Sequence, residues 1–248
     1  MRCTLALMSA LLFLASPLRA EEVVAALSQT RVSINANFDG SEILIFGAVK
    51  RSDPPPEDSP LDVIVSVAGP AQVETVRRKA RRFGIWINVE NEIVGHAPTF
   101  YEVATTRPLG TIISDLTDSL WRITADKQIL PGMEGNPSRE ALIRLRQKED
   151  LYHVREGGVS LSQDTLFSTS VKLPANLTEG SYSTRIFLVR EGDVIDSYAT
   201  TIDVQKVGIE RWLYRLSREN AAIYGVLALL IAGLSGWAAS EGFRLLRR

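Results

Sequence analysis

Short apolar runs, broken by Pro and Gly, dominate the chain before its C-terminal end. Val32-Ser-Ile34 and Ile43-Leu-Ile45-Phe46 read as strands, and a Pro-rich loop follows from Arg51 to Pro60. Val63-Ile-Val-Ser-Val67 is a further strand that closes at Gly69-Pro70, and Ile85-Trp-Ile87 and Phe100-Tyr-Glu-Val103 continue the series. The β pattern resumes from Leu166 to Pro174. Tyr182, Thr184, Ile186, Leu188 and Arg190 then alternate with Ser183, Arg185, Phe187 and Val189, and Val194 to Val204 returns after the turn Arg190-Glu-Gly192-Asp193. That is a hairpin, Ser181 to Val204, with Gly at its turn. Many closely spaced strands predict a mainly β fold built on immunoglobulin-like antiparallel β-sandwich elements, not βαβ units. Gly180-Ser-Tyr182 matches the approach to the penultimate strand of such sandwiches, which gives Tyr182 a structural role.

Two helical stretches interrupt the strands. Ile112, Ile113, Leu116 and Leu120 recur at helical spacing, with Asp115 and Asp118 on the other faces. A second helix starts at Asn136-Pro137, an N-cap followed by Pro at the first helical position, with Ala141, Leu142, Leu145 and Tyr152 as its apolar positions. Residues 124–136 and 153–164 read as loop.

The two ends carry different apolar segments. Arg2 followed by the run Leu5 to Ala15 has the form of a secretory signal, cleaved after Ala20. Its run spans roughly 16 Å as a helix, short of a bilayer core of about 30 Å. Ala221 to Ala239 has no charge and reaches about 28 Å. Tyr224 and Trp237 lie near its ends, where aromatic side chains favour the interface. This segment is expected to span, with the export signal placing the N-terminal domain outside and the basic tail inside. Ile209, Trp212, Leu213 and Leu216 share one helical face and Arg211, Arg215 and Arg218 another, which predicts an amphipathic segment at the lipid surface or a continuation of the spanning helix. The expected organisation is a signal peptide at 1–20, a periplasmic β-rich domain at 21–205 with a helical insert near 111–152, a juxtamembrane segment at 206–220, a transmembrane helix at 221–240 and a cytoplasmic tail at 241–248. The expected address is the bacterial inner membrane, crossed once.

Composition narrows the chemistry. The 248 residues hold one Cys and two His, which excludes zinc fingers, Cys-based redox centres, iron–sulfur clusters and disulfide scaffolds. Residues 21–205 carry 26 Asp+Glu against 19 Lys+Arg, a net of −7, so no nucleic-acid partner is expected. Against that acidic background Arg77-Arg78-Lys79-Ala80-Arg81-Arg82 is a local positive patch. It suits an anion, a lipid headgroup or an acidic partner, but the reading preferred is the solvated stretch of a long strand or hairpin leading to a buried Trp86. Arg107 is the further cation considered for an anion site. His96 and His153 lack metal-ligand spacing, and Asn176-Leu-Thr178 reads as loop. Trp86, Phe100 and Tyr101 are expected in the core. No nucleophile elbow, Walker loop, dinucleotide fingerprint or zinc-protease helix is present, so no cofactor and no catalysis are expected. In the spanning segment Ala228, Ala232, Gly236 and Ser240 recur every four residues, which predicts packing against another helix, from a second copy or a polytopic exporter. Two classes of function follow. One is a membrane-anchored interaction or accessory protein for another envelope protein or transporter; the other is a periplasmic protein that binds or modifies a small anion through residues 77–82 and Arg107.

Lys79 with Phe83-Gly84-Ile85-Trp86-Ile87-Asn88, Pro98-Thr-Phe100-Tyr101 and Arg107-Pro108-Leu109 make one cluster of motifs. Leu173-Pro174-Ala175-Asn176, Gly180-Ser-Tyr182, Lys206-Val-Gly208-Ile-Glu210 and Tyr224-Gly225 make another. In this order they resemble the alphaproteobacterial putative transmembrane protein family, over nearly the whole mature chain. The resemblance implies an exported domain with one C-terminal span and no established activity. It also implies an accessory role beside an anion exporter of the sulfite-export type.

Overall fold

The computed structural model describes residues 21–35, 37–51, 59–129, 136–207 and 209–246, without the side chains of 209–211 and 241–246. The signal segment, most of the Pro-rich loop and the last two residues of the tail lie outside the described residues.

The fold is mainly β. One sheet has four strands in the order β1 (Glu22–Leu27), β3 (Ser41–Lys50), β10 (Leu166–Leu173), β9 (Ser160–Ser162). The other has six, in the order β2 (Arg31–Ile34), β12 (Asp193–Lys206), β11 (Gly180–Arg190), β4 (Asp62–Ala68), β7 (Tyr101–Thr105), β8 (Tyr152–Arg155). A two-stranded ribbon, β5 (Ala71–Arg82) with β6 (Ile85–Pro98), stands apart. The pairs β2–β12 and β7–β8 are parallel, where the strand spacing predicts antiparallel pairing. Side-chain alternation reports which face is buried and not the direction of the neighbour.

The two larger sheets share one core. Ile43 and Ile45 of β3 and Phe167 and Val171 of β10 belong to the same buried cluster as Val63, Val65 and Val67 of β4 and Ile186 and Leu188 of β11. Ile64 and Phe187, paired across β4 and β11, point the opposite way and are buried too. That second face is covered by the helical segment, α1 (Leu109–Ile112), α2 (Asp115–Trp121), α3 (Ala125–Gln128) and α4 (Pro137–Lys148). Trp121 meets Phe187 edge-on at 5.8 Å, Tyr101 donates to the Ile123 carbonyl at 2.5 Å, and Arg185 donates to the carbonyls of Trp121 and Arg122 at 2.9 and 2.8 Å. Coverage on both faces explains why β4 carries apolar residues on both faces, without the in–out alternation of a half-buried strand.

The helical insert differs from its periodicity. Residues 109–121 form two short helices, and Leu116 and Leu120 face solvent while Thr117 and Asp118 are buried. Asp118 lies inside because its carboxylate accepts from Ile123 N, Thr124 N and Thr124 Oγ1 at 3.0, 2.8 and 2.7 Å, which closes the turn after α2. One charge-assisted cap outweighs the exposure of two leucines here. α4 starts as expected, with the Asn136 side chain accepting from Ser138 N at 2.8 Å and Pro137 following. It stops at Lys148, so Tyr152 opens β8 instead of extending the helix, and Leu145 is exposed. Strands β8 and β9 occupy the stretch 153–164 that reads as loop.

A polar clasp joins the two sheets near β8. Buried Glu102 on β7 lies 2.9 Å from Arg155 Nε, and Arg155 Nη2 donates to Thr169 Oγ1 and the Ser170 carbonyl of β10 at 2.9 and 2.5 Å. Burial pushes the Glu102 carboxyl up to about 7, against the pull of Arg155 and Lys172.

The hairpin turn between β11 and β12 has Glu191 and Gly192 at positive φ, 54° and 91°. A β-branched residue at 192 is strained by about 1 kcal/mol or more, although a Cβ there would meet no atom within 4 Å. Gly192→Val should therefore lower the melting temperature by a few degrees through backbone strain alone; an unchanged melt would contradict this turn geometry. Glu102 gives a pH signature. Its folded value lies above the ordinary 4.5, so the folded chain keeps a proton that the unfolded chain releases between about pH 4.5 and 7. The stability it contributes is full below that window and is lost as pH rises through it. Denaturant titrations at pH 4.5 and pH 7.5 should show a smaller loss on raising pH for Glu102→Gln than for the parent; equal losses would refute the assignment.

Candidate functional site

The ribbon β5–β6 is the continuation of the most buried strand pair. The ladder between β4 and β7 carries on through Gly69 N donating to the Phe100 carbonyl at 2.8 Å and Thr99 N donating to the Pro70 carbonyl at 3.0 Å. Residues 62–105 thus form one long hairpin whose distal half leaves the sheet at Gly69-Pro70. Twelve residues of β5 extend it by about 40 Å.

The root of this arm is buttressed and its tip is bare. Val76, Val94 and Ala97 pack with Ile129, Leu142 and Ile143 of the helical insert. Arg146 pairs with Glu74, and Asn136 Nδ2 donates to Glu92 Oε1 at 2.5 Å. Hydrogen bonds from Ser138 and Asn136 hold the Glu92 carboxyl below its usual range. Beyond Val76 none of the described residues covers either face. Phe83 is fully exposed, and Ile85, Trp86, Ile87 and Val89 are exposed as well.

The basic run lies on this distal half, as a solvated hairpin strand. Arg82 pairs with Ile85, Arg81 with Trp86, Ala80 with Ile87 and Lys79 with Asn88; after a bulge Arg78 pairs with Glu90 and Arg77 with Asn91. Alternation puts Arg77, Lys79, Arg81 and Trp86 on one face and Arg78, Arg82, Ile85 and Ile87 on the other. Each face therefore mixes cations with apolar side chains. Glu90 is the one carboxylate in this stretch, and it pairs with Arg78 at 2.8 Å.

The turn at the tip is unusual. Phe83 and Gly84 both have positive φ, 50° and 85°, the pattern of a two-residue hairpin turn that favours Asn-Gly. A bulky aromatic in that conformation is an outlier, and here it gains no packing in return. The signal was present in the sequence as X-Gly between two β runs, Arg81-Arg82 and Ile85-Trp86, but an exposed apolar tip inverts the usual pattern of polar turns.

Other expected site residues fall elsewhere. Trp86 is 68% exposed, contrary to its expected place in the core, whereas Phe100 and Tyr101 are fully buried. The difference follows from Trp86 lying on the distal ribbon, which has no second layer. Arg107 does not join the basic run. It follows β7 at the end of the sheet opposite the arm, and its Nε donates to Asp62 Oδ1 at 2.8 Å while Nη2 pairs with Oδ2. Asp62 is buried and also accepts from Thr106 Oγ1 at 2.7 Å, so it holds the guanidinium and pushes the Arg107 value further up. Arg107 borders a cavity of about 340 Å³ with Ser59, Thr111 and Ser114, but its charge is already matched. His96 is exposed, and His153 lies 3.9 Å from Asp150. Among the described residues no group of three His, Cys, Asp or Glu side chains is placed to hold a metal.

At the C-terminal end α5 (Ile209–Glu219) leads into α6 (Ala221–Leu246). Ala221–Ser240 is long and apolar enough to cross a membrane, and none of it is buried against the domain. Ala228, Ala232, Gly236 and Ser240 are all exposed on it. On α5 Trp212 and Tyr214 are exposed, and the Tyr214 ring carries Lys206 Nζ at 5.3 Å and the Arg218 guanidinium at 5.7 Å.

Comparison with known proteins adds a family. A crystal structure of Spo0M, a sporulation control protein from Bacillus subtilis, is similar at 11% identity and a TM-score of 0.30, over 82% of this chain and 56% of that one. This chain thus spans little more than half of that protein's length. A search of curated proteins returns no match. A family model does match, across residues 22–245, and the chain belongs to the family described as Putative transmembrane protein (Alph_Pro_TM).

Proposed function

We propose that this is a single-span accessory protein of the bacterial inner membrane that works by binding through its projecting hairpin, without catalysis of its own. The domain is periplasmic and the short basic tail cytoplasmic in this reading, which rests on the N-terminal signal pattern and the C-terminal span. The observation that carries it is the arm: an exposed aromatic tip flanked by five cations, held out by a buttressed root. The buried titratable groups serve the fold. Tyr101, Tyr152 and Tyr182 each donate to a backbone carbonyl, and Glu102 faces Arg155.

An immunoglobulin-like reading of the domain fits a binding module. The order β1-β3-β10-β9 lies opposite β2-β12-β11-β4, with the second N-terminal strand pairing parallel to the last strand. Tyr182 Oη donates to the Thr178 carbonyl at 2.9 Å, the stitch expected of a tyrosine corner. Small-anion binding is the weaker alternative, since the cations spread over two open faces and Arg107 is committed to Asp62. Association with an anion exporter remains the partner that the family resemblance suggests.

A photo-crosslinking residue placed at Phe83 of the full chain in native membranes tests the proposal. It should yield a defined adduct, and the same residue at Glu191, at the far end of the sheet, should not. No adduct at Phe83, or equal labelling at both positions, would overturn an arm-mediated role.

A further inference from the structure

The cations and the apolar tip of the arm share their position with one more feature, the direction in which the arm leaves the domain. In the six-stranded sheet Ala68, the last residue before the arm, pairs with Ser183, and Ser183 pairs with Thr201. Gly180 pairs with Val204, and a Cβ on Gly180 would lie 3.0 Å from Pro70 at the arm's root. The arm therefore departs from the same end of the sheet at which β12 runs out towards α5 and the spanning helix. Arg107, Gly192 and the cavity beside them mark the opposite end. Only β11 lies between β4 and β12, so the arm root and the strand feeding the membrane anchor are about 10 Å apart.

From this geometry we infer that the tip of the β5–β6 arm docks on the anionic lipid surface of the same membrane in which α6 is anchored, with Phe83, Ile85 and Trp86 at the acyl boundary and Arg77, Arg78, Lys79, Arg81 and Arg82 against lipid phosphates. The inference rests on the proposed binding role and names the target of that same arm. Aromatic side chains settle at headgroup level, and clustered Lys and Arg select anionic headgroups. Charge complementarity favours lipid in a second way: the domain outside the arm is acidic and is repelled by an anionic surface, which leaves the arm as the part that meets it. Reach is sufficient. The eleven residues of α5 add about 16 Å between domain and bilayer if the helix stands upright, and less if it lies flat, while the arm spans about 40 Å. The anchor supplies a high local lipid concentration, so a weak tip suffices. The strained turn fits too: Phe at positive φ opposes folding of the hairpin and leaves an aromatic ring at its farthest point.

The test uses the full chain with Cys3→Ala and Ile85→Cys, carrying an environment-sensitive NBD probe on the introduced thiol and reconstituted through α6 into nanodiscs. The discs contain phosphatidylcholine alone or an equal mixture with phosphatidylglycerol. A probe at Glu191→Cys is the control. The probe at position 85 should shift to the blue and be quenched by spin-labelled lipid in the anionic discs, lose most of that shift in neutral discs or high salt, and leave the control unchanged. Replacing the five cations with Gln should abolish the preference for anionic discs. Phe83→Asn suits the turn better than Phe, so it should keep the hairpin's circular dichroism while losing the blue shift. An aqueous probe in both disc types would overturn lipid docking, and an equal shift in both would overturn recognition of anionic headgroups. Maleimide labelling of the Ile85→Cys chain in native membranes separates the two levels. Protection there with an aqueous probe in discs means the arm meets a protein and only the lipid inference falls; free labelling there as well means the arm-mediated role falls with it.

Discussion

A two-stranded ribbon has no second layer to bury its faces, and alone in water it is marginal at best. The arm holds its shape because its strands are the continuations of β4 and β7, the pair enclosed between the four-stranded sheet and the helical insert. Everything the distal half presents depends on that enclosure. The buried run Val63 to Val67 fixes the register of β7 against β4, and the ladder through Gly69 and Thr99 transmits it to β5 and β6. α4 then supports the root through Leu142 and Ile143. The helical insert thus has two duties, one as the lid on β4 and the other as a bracket for the arm.

Buried charges are used sparingly in the same frame, and each ties an edge to the core. Asp62 at the start of β4 holds Arg107 just beyond β7, closing the hairpin at the end away from the arm. Glu102 on β7 faces Arg155 on β8, and Arg155 reaches across to β10. These pairs are not equivalent. Arg107 satisfies Asp62 through two oxygens with a third donor from Thr106, whereas desolvation dominates at Glu102 and keeps its carboxyl near neutrality. One cation needed for structure in the first pair is thereby removed from any role in anion binding.

Where a local pattern is enough to place a residue, the reading matches the structure. The closing hairpin with Gly192 at its turn, the central strand at 63–67, the cap at Asn136-Pro137 and the C-terminal apolar helix are all local patterns with local causes. The failures share another cause: they need knowledge of what lies opposite. Leu116 and Leu120 carry a helical period, yet Asp118 wins the inner face through three hydrogen bonds that periodicity does not see. Trp86 has the composition of a core residue and sits where the fold provides no core. Arg107 reads as a free cation until Asp62, distant in sequence, arrives beside it. The basic run itself is legible, but its placement at the tip of an arm follows only from pairing 71–82 with 85–98 beyond the edge of the main sheet.

The run has an additional physical reason to exist, and the two reasons can be weighed. A projecting ribbon has two free edges, and natural sheets protect such edges with Lys and other charges against pairing with a second chain. Edge protection accounts for cations on both faces of β5. It does not account for Phe83, because an exposed aromatic at the turn adds to the hazard that the charges remove, and Asn would serve the turn better. Nor does it account for Trp86 beside Arg81 or for Ile85 beside Arg82, which enlarge the apolar surface at the point of greatest exposure. Gatekeeping alone would have kept the charges and discarded these side chains. The combination is instead what an interface needs when one half of its target is anionic and the other half is hydrocarbon, and the arm carries both halves at the end of the sheet from which the membrane anchor departs.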